Sequence, residues 1–171
     1  MFGLVGSVSG GTVTLTGPNG PATVDVTPST RVIELVPGQL TDVTAGECVM
    51  VRPTKDSSAP PSVTAAAVLI AQAGNGQCGG HGHRRGVTGT VASVNGSSIV
   101  LTAPDNNQST VTVTSNTRYA KLSKGDTSAI AAGQCLGARG TKDGSGNLQA
   151  TAVNLRPAEN GQCGGRRHQG G

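Results

Sequence analysis

Four cysteines and three histidines are the side chains of this 171-residue chain with the most chemistry to offer, and the cysteines fall in matched places. Cys48 and Cys78 stand 30 residues apart; Cys135 and Cys163 stand 28 apart. An even count, set out twice at nearly the same interval, points to one disulfide per pair, Cys48–Cys78 and Cys135–Cys163. Such a bridge closes a loop of roughly 30 residues and adds about 3–4 kcal/mol in the chain-entropy treatment. Buried free thiols and metal thiolates are the competing readings. The metal reading draws on Cys78-Gly79-Gly80-His81-Gly82-His83, where a thiolate and two imidazoles could hold Cu or Zn. The second copy reads Cys163-Gly164-Gly165-Arg166-Arg167-His168 and loses the Cys-x-x-His spacing. A solvated Gly-rich segment carrying incidental His81, His83 and His168 is the plainer account, and no cofactor is expected.

Other motifs fail on their chemistry. Gly74-Asn75-Gly76-Gln77-Cys78-Gly79 satisfies the spacing of a dinucleotide fingerprint, but Gly80-His81-Gly82-His83-Arg84-Arg85 follows it. A helix whose N-terminus meets a pyrophosphate cannot readily propagate there. Gly6-Ser7-Val8-Ser9-Gly10 puts Val at the centre of what would be a nucleophile elbow. All three histidines lie in Gly-rich segments, so a positioned His base is not expected. Asp56 and Asp143 recur beside Lys55 and Lys142, where turn chemistry explains them. The chain is read as non-enzymatic.

Charge separates body from tails. Thirteen Lys and Arg oppose nine Asp and Glu, and four of the thirteen are Arg84, Arg85, Arg166 and Arg167 in the Gly-rich segments. The rest of the chain is balanced. A nucleic-acid groove needs surplus cations and stacking aromatics, whereas this chain has Phe2 and Tyr119 as its aromatics. Nucleic acid is not an expected partner. The four arginines are candidate contacts for an anionic envelope or extracellular polymer or protein.

The elements that hold these residues come from a duplication. Gly3 to Gly10 matches Gly89 to Gly96 at an offset of 86; Thr30-Arg31, Cys48, Arg52 and Thr54-Lys55-Asp56 match Thr117-Arg118, Cys135, Arg139 and Thr141-Lys142-Asp143 at 87. Asn75 to Gly80 repeats as Asn160 to Gly165. Each copy reads as strands: Leu4 to Val8 and Thr12 to Thr16 flank a Ser-Gly-Gly turn, and Asn95-Gly96 takes that place in copy two. Val and Thr alternate over Thr23 to Thr27 and Thr110 to Thr114, as half-buried strands do. Arg31 to Val36 reads as an extra strand or extended connection, and Leu40 to Val43 as one helical turn. Two final strands cover Glu47 to Arg52 and Val63 to Ala71.

Three strands, a helical turn and two more strands predict an all-β chain of two tandem OB-like Greek-key barrels. The expected organisation is a barrel over 1–78, a Gly/His/Arg linker over 79–86, a second barrel over 87–163 and a basic Gly-rich tail over 164–171. No apolar run crosses a bilayer, since the longest is Ala65 to Ala71. No basic segment followed by an apolar one opens the chain, so a signal peptide is not expected within it.

Gly3 to Gly10, Val24 to Thr30, Gly46 to Val49 and Ala65 to Val68, with their counterparts in copy two, resemble an uncharacterised domain family of bacterial secreted proteins and lipoproteins, frequent in actinobacteria. The resemblance covers most of both copies and rests on turn and core residues, so it transfers no catalytic residue. It implies a small OB-like barrel and export from the cytoplasm. The expected role is a non-catalytic binding or structural module of the cell envelope. Extracytoplasmic Cu or Zn binding and β-edge-mediated self-association are the alternatives.

Overall fold

The computed structural model describes residues 1–71, 78 and 86–163. Twelve strands run through them: β1 (Phe2–Ser9), β2 (Thr12–Gly17), β3 (Gly20–Asp25), β4 (Arg31–Pro37), β5 (Cys48–Pro53), β6 (Ser62–Ala71), β7 (Val87–Asn95), β8 (Ser98–Thr102), β9 (Gln108–Thr112), β10 (Arg118–Gly125), β11 (Gln134–Lys142) and β12 (Leu148–Pro157). Single 3-10 turns stand at Leu40–Asp42 and Thr127–Ala129. The described chain is all-β, as its period-two patterning requires. The expected extra strand is β4, and the helical turn before β5 is present.

The strands do not sort by repeat. One compact unit is Met1–Leu35 together with the chain from Ser123 onward; the other is Val36–Leu122. In the first, β1, β2 and β3 form an antiparallel meander, with a bulge in β1 between Val5 and Ser7. β3 then runs parallel to β12, Leu148 opposite Val24. β12 pairs antiparallel with β11 along its length, and β11 returns to β1, Phe2 opposite Gly137, so five strands close on themselves. The start of β4 adds in parallel to β12, Arg31 opposite Ala152.

The second unit repeats this plan with its strands in a different chain order. β7, β8 and β9 form the meander, bulged between Val91 and Ser93. β9 runs parallel to β6, β6 pairs antiparallel with β5, and β5 returns to β7. β10 adds in parallel to β6, Arg118 opposite Ala67. Each closed set of five therefore takes its three-stranded meander from one repeat and its two-stranded hairpin from the other.

The expectation of one barrel per copy, 1–78 and 87–163, places the boundaries of the sequence repeat; the compact units cut across them. The reason is local. Arg31-Val32-Ile33-Glu34-Leu35-Val36 offers no turn residue before Pro37-Gly38, so the chain continues straight for seven residues, roughly 23 Å at strand rise. It leaves the first unit within β4 and comes back within β10. By contrast, the stretch between the copies joins β6 to β7, both in one unit. Apart from Cys78, residues 72–85 lie outside the described part of the chain, as does 164–171.

Each unit has its own apolar interior. Val5, Val13, Leu15, Val24, Leu136 and Val153 are at most 1% exposed in the first, and Val49, Val51, Ile70, Ile99, Leu101 and Val111 in the second. Both interiors are built from β-branched residues and Leu, whose side chains suit a pleated, inward-facing surface. Gly3 and Gly89 stand at matching points of the two meanders. A Cβ on either would meet a carbonyl oxygen, of Thr16 or Thr102, at 2.7 Å.

Candidate functional site

The cysteines pair as the spacing predicts. Cys48–Cys78 closes at 2.05 Å and Cys135–Cys163 at 2.09 Å, with Cα separations of 5.3 and 5.4 Å. Cys48 opens β5 and Cys135 lies at the start of β11, so each bridge ties the first strand of a hairpin to the chain beyond its second strand. Each bridge stays within a single compact unit, Cys135–Cys163 in the first and Cys48–Cys78 in the second. Cys78 is 6% exposed, and Thr90 on β7 donates its hydroxyl to the Cys78 sulfur at 3.3 Å. The bridge in the second unit thereby touches a strand of the other repeat.

Two threonines that the sequence shows only as repeat matches prove to be anchors. The Thr30 hydroxyl accepts from the Thr27 amide at 2.9 Å and donates to the Ala150 carbonyl at 2.8 Å. Thr117 does the same with the Thr114 amide and the Ala65 carbonyl. Both are buried, at 6% and 8% exposure. In each case the turn after a meander is fastened to a hairpin strand of the other repeat. The Thr-x-x-Thr that recurs as Thr27 to Thr30 and Thr114 to Thr117 was the available signal. Buried hydroxyls need partners, and a recurring one implies a recurring partner.

The carboxylates are held by turns and exposed surface. Asp25 accepts from Thr12 at 2.9 Å and from the Gln149 side-chain amide at 2.8 Å; the same amide reaches Asp143 at 3.3 Å. Asp143 also caps the turn between β11 and β12, accepting from the Ser145 and Asn147 amides, as its predicted turn role requires. Asp105 has its carboxyl held below the ordinary value by the Asn107 backbone amide and then the Asn107 side chain. Asp126 is lowered by the Ser128 hydroxyl and then the Ser128 amide, at the start of the second 3-10 turn. Lys121 approaches Asp42 at 3.5 Å on open surface, where such a pair contributes little. Among the described residues no three of His, Cys, Asp and Glu gather as metal ligands would. The candidate metal residues His81, His83 and His168 and the candidate contact residues Arg84, Arg85, Arg166 and Arg167 all lie outside the described residues. Arg31, Arg52, Arg118 and Arg139, the recurring arginines of the body, are exposed.

Both bridged β units carry strands on which exposed Thr alternates with buried Val. The chain is 40% identical, over 188 aligned positions, to a 27 kDa lipoprotein antigen of Mycobacterium intracellulare, covering 95% of this chain and 72% of the relative. The chain belongs to the family of that antigen. A domain of unknown function, DUF5666, matches residues 88–154. That match runs from β7 into β12, so the family domain corresponds to the second repeat and not to either compact unit. No solved structure matches the chain. Membership agrees with the resemblance drawn from the turn and core residues, at the level of a bacterial lipoprotein family.

Proposed function

We propose that this protein is an exported module of the cell envelope, held at the outer side of a membrane, that works by contact with an envelope or extracellular partner and not by catalysis. The observation that carries the reading is the pair of disulfides, one per unit, in a relative of a lipoprotein antigen. Bridges of this kind persist in oxidising compartments. The pairing order within each unit, meander strands one to three, then five, then four back to one, is that of an OB-type barrel, and we assign both units to it. OB-type grooves that bind nucleic acid use aromatics and cations. The neutral body favours a different ligand here.

Contact would use faces. Every strand of the two closed sets is paired on both sides, which removes their edges from pairing with other chains. Thr12, Thr14 and Thr16 on β2 and Thr110 and Thr112 on β9 present exposed hydroxyls opposite buried Val and Leu. The arginines of the Gly-rich segments would add salt-sensitive attraction to an anionic surface. Metal capture is the less favoured reading. The Cys78 sulfur is bonded to Cys48, so the Cys-x-x-His motif lacks its thiolate and two imidazoles remain.

Surface labelling of intact cells tests the reading. Antibody binding and protease shaving without lysis, with all four cysteines resisting alkylation until reduced, is the expected result. A protein confined to the cytosol with four free thiols would overturn it. Pull-down from envelope extract with and without residues 164–171 then asks whether the tail adds attraction.

A further inference from the structure

Each meander in this molecule is completed by the hairpin of the other repeat, and the two hairpins offer it largely matching buried positions. Val49, Ala65, Val68 and Ile70 of the first hairpin are matched by Leu136, Ala150, Val153 and Leu155 of the second, all buried. The anchoring contacts match as well, since Thr30 binds the Ala150 carbonyl and Thr117 binds the Ala65 carbonyl in the same geometry. The hairpins differ where Val51 is matched by Ala138 and Met50 by Gly137, the partner of Phe2. Specificity is a difference of affinities, and the matched positions contribute little to it. What chooses is the connector. β4 and β10 run on as strands of seven and eight residues, each paired in parallel to a hairpin strand, and they carry the chain away from its own meander before it can turn.

We propose that the repeat is a strand-exchange module whose partner is a second copy of itself: the meander of one copy is a binding surface for the hairpin of another, and one copy on a polypeptide of its own is completed only in a pair. This chain is such a pair joined end to end. The join lies between β6 and β7 of one unit, so it raises the effective concentration of the second copy. Exchange of an identical element between protomers is a low-cost route to dimers. The family domain covers one repeat, so the same exchange is open to relatives carrying a single copy.

The test uses the full chain with a protease site inserted in 79–85. Cys48–Cys78 lies before the cut and Cys135–Cys163 after it, so neither bridge holds the pieces together. The nicked protein is expected to elute by light scattering as one species of full mass. Met50 faces Thr88 across β5 and β7, and Phe2 occupies the repeat position equivalent to Thr88. After nicking, M50C/T88C is expected to crosslink the two pieces, and F2C/M50C is expected not to close within the first. Refolding of the nicked protein from urea is expected to slow about tenfold on tenfold dilution, while the intact chain refolds independently of concentration. Two folded half-mass monomers, efficient F2C/M50C closure, or concentration-independent recovery of the nicked protein would each overturn the proposal.

Discussion

At Thr117 one hydroxyl serves two backbone groups, accepting from the Thr114 amide and donating to the Ala65 carbonyl. Thr117→Val keeps the shape and removes both bonds, one from a part-buried amide and one to a carbonyl at a buried site. The expected cost is about 2 kcal/mol by urea denaturation, with the same loss for Thr30→Val. Thr27→Val, whose hydroxyl reaches only the exposed Ser29 amide, should cost far less. Asp126 offers a pH measurement. Its folded carboxyl lies below the ordinary 3.8 because the Ser128 hydroxyl and amide favour the ionised form. The stabilisation it brings is thus present above that value and is lost as pH falls through the folded one. Carbon-13 titration should place Asp126 below an unstructured Asp, and Asp126→Asn should flatten the stability profile under about pH 4.

Each hairpin is an element with a staple. The Cys48–Cys78 bridge spans 30 residues, and removing it as C48A/C78A should destabilise its unit by about 3–4 kcal/mol. Hydrogen exchange is the discriminating measurement. Amides of β5 to β9 should lose protection, while those of β1 to β3, β11 and β12 keep theirs. C135A/C163A should give the reverse. The bridge matters at this scale because each interior is small and nearly free of aromatic side chains, leaving little apolar area to spare.

The whole molecule closes its two units across different spans of chain. Thr117 meets Ala65 over a separation of 52 residues, whereas Thr30 meets Ala150 over 120. Longer closure costs roughly 0.7 kcal/mol more in the flexible-loop limit. Once the inner unit has formed, it shortens the free chain that the outer one must close. Val36–Leu122 should therefore fold first. Pulse-labelled exchange during refolding should protect Val49, Ile99 and Val111 before Val13, Val24 and Leu136. Simultaneous protection, or the reverse order, would contradict this.

Strand type, turn positions, the interior face of each strand and the disulfide pairs were legible in the sequence, because each follows from neighbours a few residues apart or from a duplicated cysteine. Val13 and Leu15 alternating with Thr12, Thr14 and Thr16 already separate inside from outside on β2. The duplication itself concealed the rest. Two hairpins with largely matching core residues and matching carbonyls offer a meander similar surfaces, so the hairpin sequences alone do not say whether Thr30 binds Ala65 or Ala150. Only the tertiary structure decided that. β4 and β10 run on as unbroken strands from one unit into the other, so each copy divides between the two units, and both satisfy equivalent hydrogen bonds.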